Sequence, residues 1–507
     1  MSNRELKKAK APTGFGRWLR LPLFLLLFPL FIVLNIENNY HHMIEYRFVW
    51  KEILLLCFLP LAGFLLAALG LRSWRLAALF AFPLYAIFYF GGPLKGWADK
   101  HLPATLASFF LWLPLLLLFF TVLFIWLRRR RPMGSRFLQW ANGLILIYIV
   151  IELVRFAGTP RSGNDLGDPE KTLSRNYTVQ PGQPRPDIYY IVMDGYTTSP
   201  VLQLLGRDNR AVDTFLRDQG FYVADHGYSN YNFTAFSLGC TFNLDYLNRV
   251  DTAHFYYDND YLPAVYTMYR NEWRNILQKE GYHYRNFSNF PVADAPVELP
   301  AFDVWFQTEL YRPYNFLHYV NKSIGWHLPR ALWIRTSFQD DNFEKGRHEQ
   351  LKVLPARIRE AVAEKIASPK FVYAHFLVPH GPFSYDTSGN LLKPHPEGIP
   401  GYLQHVGYAN KLLRETVQTI FREQDRNRPF VIILQGDHGI RHRAPGRKQL
   451  NFQSLNAFYF SNGDYRGLQP NFTNVNTFRV VANTWFGQKF PMLPGRTVYL
   501  KTVADMR

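Results

Sequence analysis

The chain has 507 residues, enough for more than one domain. Hydrophobic residues make up 48% of it and charged residues only 19%, a balance that puts part of the chain in lipid. The net charge of +18 argues for no nucleic-acid partner: there is no nucleic-acid-binding motif, and many cations flank apolar segments, as Arg4, Lys7, Lys8, Lys10, Arg17, Arg20 and Arg128 to Arg131 do.

Five apolar runs come first: Trp18–Ile36, Ile53–Leu71, Leu76–Phe90, Leu106–Leu127 and Phe137–Val154. A spanning helix takes about 20 apolar residues. The third run is short and contains Pro83, which membrane helices tolerate. The expectation is a five-helix transmembrane domain over residues 1–157. The N-terminal tail, the Arg72–Arg75 turn and the Arg128–Arg136 loop are basic, which places the N-terminus in the cytoplasm. An odd number of spans then carries everything after residue 157 to the outer face. No small-residue cleavage site follows the first run, so it reads as a retained anchor. Tyr40, Tyr46, Phe48 and Trp50 suit the membrane interface, with His41, His42 and Arg47 among them to meet headgroup phosphates.

A polar linker rich in proline and glycine follows over 158–186. From 187 to 507 strand and helix patterns alternate. Strands are expected at Asp187–Met193, Phe371–Leu377 and Phe430–Leu434, and helices at Asn209–Gln219, Ala356–Ala367 and Tyr402–Arg422. Such alternation implies an α/β domain with a mostly parallel central sheet and helices on both faces. Cys57 lies in an apolar run and Cys240 in the later part, so no disulfide is expected.

The chemistry concentrates at the strand ends. Gly436-Asp437-His438-Gly439 follows an apolar strand, and Asp194-Gly195-Tyr196 follows another. Oxygen from Asp and nitrogen from His suit zinc or manganese, and ligands gather beyond the carboxyl ends of strands in open α/β sheets. Asp194 alone reads equally as a turn cap. Thr234, in Tyr231-Asn232-Phe233-Thr234-Ala235-Phe236-Ser237, precedes a plausible helix. There its hydroxyl is either an ordinary cap or a nucleophile activated by the helix terminus and a metal. Ser237 and Thr241 are rival hydroxyls. His375 ends a strand and His380 sits in a Pro379-His380-Gly381-Pro382 loop, where imidazoles bind phosphate oxygens or move protons. His442 follows close behind as a basic loop histidine able to contact substrate.

The order Asp194-Gly195-Tyr196, Thr234-Ala235-Phe236-Ser237-Leu238, His375-to-His380-Gly381-Pro382 and Gly436-Asp437-His438-Gly439 resembles the alkaline phosphatase superfamily. Within it the chain is similar to the membrane-anchored sulfatase-like branch, which includes lipid A phosphoethanolamine transferases and lipoteichoic acid synthases. The resemblance implies Thr234 as nucleophile, Asp194, Thr234, Asp437 and His438 as metal ligands, and His375 and His380 beside the phosphoryl group. It implies a divalent metal, Zn2+ or Mn2+, a phospholipid donor in the same bilayer and a glycan or glycolipid acceptor. It further implies a bacterial inner-membrane protein with a periplasmic or extracellular catalytic domain. The expected reaction is transfer of a phosphoethanolamine- or phosphoglycerol-type headgroup through a phospho-threonine, with His380 protonating the leaving diacylglycerol.

Two features depart from the pattern. The chain has no cysteine pair for the disulfides usual in the phosphoethanolamine transferases, and Cys240 is followed by Thr241-Phe242-Asn243-Leu244 rather than the x-Pro-x-Arg of formylglycine sulfatases. Sulfate-ester hydrolysis is therefore disfavoured. A membrane-tethered phosphodiesterase or phosphatase using water as acceptor, and a non-catalytic scaffold, are the alternative readings.

Overall fold

The structure, a computed structural model, describes residues 18–40, 46–130, 136–158, 173–248, 250–253, 255–256, 261–299, 339–441 and 447–502. The chain divides into two units, one running through residue 161 and one taking residues 162–305 and 340–507.

In the first unit the apolar runs are helices α1 (Phe24–Tyr40), α2 (Tyr46–Leu71), α3 (Trp74–His101), α4 (Phe109–Arg128) and α5 (Arg136–Gly158). Among the described residues four stretches are long and apolar enough to cross a membrane, against the five expected: Ile53–Leu71, Trp74–Ala98, Phe109–Arg128 and Arg136–Ala157. The first run yields a shorter apolar helix, Phe24–Asn39. Pro22 stands just before α1, and the polar residues Asn35, Glu37, Asn38 and Asn39 fill its last turns. The third run is longer than expected, because α3 continues through both Pro83 and Pro93.

Polar side chains join α1 to α5. Asn142 accepts the Phe24 N–H at 2.7 Å and donates to the carbonyls of Leu19 and Leu21 at 2.9 and 2.7 Å. One helix thus satisfies groups that the start of another leaves open. Buried Glu152 accepts from Asn35 and Asn38 and pairs with Arg155 at 3.0 Å. In lipid such groups must be satisfied internally, so this cluster fixes the pairing of the two helices.

The second unit is built on β1 (Asp187–Met193), α6 (Arg210–Asp218), β2 (Tyr222–Val223), α7 (Thr234–Phe242), α8 (Glu272–Lys279) and β3 (His283–Phe287). It continues with α9 (Gln339–Ala363), β4 (Lys370–Phe376), α10 (Gly398–Glu423), β5 (Phe430–Gly436), β6 (Asn456–Phe460) and α11 (Thr477–Trp485). The strands form one sheet in the order β2-β6-β5-β1-β4-β3. The four from β5 to β3 are parallel, while β6 runs antiparallel to β5 and β2 antiparallel to β6, so the sheet is mixed. Every residue of β1 is buried, as a central strand covered on both sides requires.

Successive β1 side chains report the two layers. Tyr189 bonds Gln424 at the end of α10, and Phe421 of α10 packs on Phe430. Tyr190 points the other way, edge-on to Phe242 of α7 and Phe478 of α11. Trp273 of α8 stacks on Phe478 at 4.4 Å on that second face. Helices therefore cover both faces, as the alternation of strands and helices implied.

Candidate metal centre and active site

Register alone brings the acidic residues together. Met193 of β1 pairs with Gly436 of β5, so Asp194 and Asp437 stand at matching positions one step past adjacent strand ends. On the other side Val192 pairs with His375 of β4. Side chains alternate along a strand, so His375, Val192 and Asp194 share a face. Gly195 then turns the chain at φ +74°, a backbone that favours glycine, and its N–H donates to Asp437 Oδ1 at 2.8 Å.

Three donor groups close on one point, and His438 stands beside them. Asp194, His375 and Asp437 each present an atom within 4.8 Å of the others. His438 Nε2 lies 3.6 Å from Asp194 Oδ1 and 3.5 Å from Asp437 Oδ2, and His375 Nε2 lies 3.6 Å from Asp194 Oδ2. Donors on a tetrahedral zinc at roughly 2.0–2.1 Å stand about 3.4 Å apart, so the spacing fits. All four residues are buried. Asp194 Oδ1, His375 Nε2 and Asp437 Oδ2 have no hydrogen-bond partner among the described residues, and buried polar atoms rarely go without one. Two carboxylates and two imidazoles are a donor set for zinc, and the residues fit that group.

Two of the imidazoles, His438 and His380, have their tautomers set by backbone carbonyls. His438 Nδ1 faces the Gly439 carbonyl at 2.7 Å and His380 Nδ1 faces that of Gly381 at 2.5 Å. Each Nδ1–H is thereby donated, leaving the lone pair at Nε2. Burial pushes both histidines below the usual imidazole range, and Arg441 adds to this against the pull of the nearby carboxylates. Burial opposes charge on Asp194, and the surrounding His380, His375 and His438, whenever they carry protons, outweigh it and draw its carboxyl below the ordinary range.

The start of the helix carrying Thr234 is tied to the strand end that carries Asp437. Phe242, at its far end, lies on Tyr190 in the middle of β1. Ser237, nearer the start, donates to the Asp437 carbonyl oxygen beyond the end of β5. Thr234 is the first residue of α7 and is half-buried. Three residues from Ser237, it lies on the same helix face and about 4.5 Å further along the axis. Ser237 is committed to that carbonyl, Thr241 donates to the Ser237 carbonyl at 2.9 Å, and Cys240 is buried in the helix interior. Thr234 alone of these hydroxyls stands at the helix start.

A cavity of about 430 Å3 opens beside the centre, lined by His380, His438, Arg441, Phe383 and Tyr402 among others. The structure places His375, expected beside the phosphoryl group, among the clustered donors, and it sets His380 on the cavity wall. His442 lies outside the described residues. Sequence reasoning gave Arg441 no place in the centre, yet it lies three residues past His438 and reaches its Nε2 at 2.9 Å. It also missed Arg347, whose partners are 33 to 37 residues away, too far for any local signal.

Comparison with known proteins adds to this geometry. No curated protein sequence matches the chain. Among solved structures it is similar to the C-terminal periplasmic domain of EptC from Escherichia coli, at 12% identity and TM-score 0.37, covering 65% of this chain and 90% of that one. It is also similar to the soluble domain of lipooligosaccharide phosphoethanolamine transferase A from Neisseria meningitidis, at 14% identity and TM-score 0.34, covering 60% and 88%. A family profile described as sulfatase matches residues 187–480. That match takes in β1 through β6 and the first turn of α11, with Asp194, Thr234, His375, Asp437 and His438 all inside it, and it extends over more than half of the chain. The chain belongs to the sulfatase family.

Proposed function

We propose that the protein is a metal-dependent transferase that moves a phospholipid headgroup, of phosphoethanolamine or phosphoglycerol type, onto a glycan or glycolipid hydroxyl through a phospho-threonine at Thr234. The observation that carries this reading is the buried grouping of Asp194, His375, Asp437 and His438 at neighbouring strand ends, with Ser237 in the first turn of α7 bonded to the Asp437 carbonyl. Asp194, Asp437, His438 and His375 would hold the cation, with Thr234 as a further ligand. When bound, zinc or manganese supplies positive charge against the phosphoryl oxygens.

The chain's own residues do the rest. The Thr234 hydroxyl oxygen attacks phosphorus as the bond from phosphorus to the diacylglycerol oxygen breaks. The α7 N-terminus favours the negative charge gathering there. His380 is neutral with its lone pair at Nε2, so it acts first as an acceptor of the Thr234 proton and only then returns that proton to the leaving alkoxide. An acceptor hydroxyl then attacks phosphorus, the bond to Thr234 breaks, and His380 takes the incoming proton and hands it to the departing Thr234 oxygen. Five spans, with α1 as the first, would carry the catalytic unit to the outer face, where the donor leaflet lies.

Thr234→Ala tests the reading. The variant should still take up metal through Asp194, His375, Asp437 and His438 while headgroup transfer falls by at least about a thousandfold, in the range lost when a nucleophile is removed. Mass spectrometry of wild type quenched with donor alone should find the headgroup phosphate on Thr234. Near wild-type transfer by the variant would refute it, and acceptor-independent release of headgroup would make the enzyme a hydrolase.

A further inference from the structure

Arg441 occupies a position that the proposed chemistry has not used. Its guanidinium spans two imidazoles, with one nitrogen 2.9 Å from His438 Nε2 and another 3.4 Å from His380 Nε2. Its central carbon lies 4.5 Å from the centroid of the Phe233 ring, and Phe233 is the residue immediately before Thr234. One side chain therefore touches the metal-centre histidine, the cavity histidine and the approach to the nucleophile. Among the described residues that line the cavity, Arg441 is the one fixed cation.

Charge makes that position matter. Asp194 and Asp437 bring two negative charges to the centre, and a divalent cation only cancels them. A phosphodiester carries a further negative charge, and its non-bridging oxygens need a donor that stays positive at every working pH. A guanidinium does so, and its planar fork fits two oxygens of one tetrahedral anion. The face stacked on Phe233 fixes the plane of the fork without consuming its N–H groups.

We infer that Arg441 is an anion-binding residue, which takes the non-bridging oxygens of the phosphoryl group presented to Thr234. The inference rests on the reading of the site as a phosphoryl-transfer centre. It adds a binding residue from the loop after β5 to a centre otherwise made of strand-end donors and one helix terminus. Its side chain reorients from the imidazole nitrogens toward the anion, and both histidine lone pairs are released when it does.

The test uses full-length protein in nanodiscs, loaded with zinc and checked by elemental analysis, with inorganic phosphate and inorganic sulfate as probes in calorimetric titrations. Wild type should bind phosphate. Arg441→Met should keep its zinc and bind phosphate roughly 10- to 100-fold more weakly, the scale of one lost hydrogen-bonded charge contact. Arg441→Lys should recover part of the affinity, because an ammonium restores charge without the fork. Unchanged phosphate affinity in a zinc-loaded Arg441→Met protein overturns the inference. Loss of zinc from that variant also overturns it, since Arg441 would then serve to hold the imidazoles. The transferase reading fails separately. Arg441-dependent phosphate binding in a protein whose Thr234→Ala variant still transfers headgroup supports the anion site and refutes the phospho-threonine. Arg441-dependent binding of sulfate in preference to phosphate keeps the anion site and moves the substrate class to sulfate esters.

Discussion

Asp194 shows at the scale of one residue how a functional centre opposes stability. Its carboxylate is buried beside that of Asp437, and Asp194 Oδ1 and Asp437 Oδ2 both go without a hydrogen-bond partner among the described residues. Each such atom costs about 1–3 kcal/mol. Asp194→Asn removes one buried charge with little change in shape, so the zinc-stripped variant should melt no lower than zinc-stripped wild type. Added zinc at a hundredfold excess over its Kd should stabilise wild type by about 2.7 kcal/mol and the variant far less. Equal zinc-induced shifts in scanning fluorimetry would remove Asp194 from the ligand set. His405 gives a different signature. It is buried and its Nε2 accepts the Tyr385 N–H at 2.9 Å; burial, aided by Arg347, pushes its pKa from 6.5 down to about 3. The unfolded chain takes up a proton in that window that the folded chain refuses. The contribution is fully present above 6.5 and is lost as pH falls toward 3. His405→Gln keeps an acceptor for Tyr385 and removes the titration, so its melting temperature should decline less steeply than that of wild type over this window. Parallel declines would show that His405 does not carry the effect.

At the scale of elements, the loop after β4 owes its shape to a helix far away in sequence. Buried Arg347 of α9 donates to the carbonyls of His380 and Pro382 at 3.2 and 2.6 Å and to Ser384 Oγ at 2.9 Å. Arg347→Met should cost about 2–4 kcal/mol in denaturant unfolding, because the loop acceptors lose their donor. It should also slow transfer, with Arg347→Lys recovering only part, since one ammonium cannot serve three acceptors in the geometry of a fork. Wild-type turnover in a destabilised Arg347→Met would show that the loop positions His380 unaided. The same pair of elements marks what the sequence could convey. The strands ending at Met193 and Gly436 were readable because buried apolar runs stop at Asp-Gly and Asp-His. Helix α6 was readable to within a residue at each end, with Gly220 at φ +87° closing the turn after it. The edge strands β2 and β3, and β6 beside β2, were not: β2 has two residues, and β3 reads His-Tyr-Arg-Asn-Phe with no apolar period. His375 as a clustered donor was hidden for another reason. Its direction follows from pairing with Val192, and register across 183 positions leaves no trace in local pattern.

For the whole molecule, the number of crossings decides whether the proposed reaction has access to its donor. Four crossings would return the chain to the side on which it began, whereas α1 as a fifth puts its ends on opposite sides. Helix α1 has 17 residues, about 25 Å at 1.5 Å per residue, and 17 is the lower bound of the usual spanning range. The basic turns at Arg72–Arg75 and Arg128–Arg130 fall after α2 and α4, which puts both in the cytoplasm only if α1 has already crossed outward. A headgroup transferase of this kind must then expose its second unit on the outer face, where tethering beside the donor leaflet raises effective concentration. Arg466 reports the side, because its side chain is 91% exposed. In a Cys57→Ala, Cys240→Ala background, Arg466→Cys should react with a membrane-impermeant maleimide on intact cells whose outer barrier has been opened. Reaction only after the inner bilayer is lysed would place the second unit in the cytoplasm, reduce α1 to a surface helix, and separate the centre around Asp194 and Asp437 from any outer-leaflet donor.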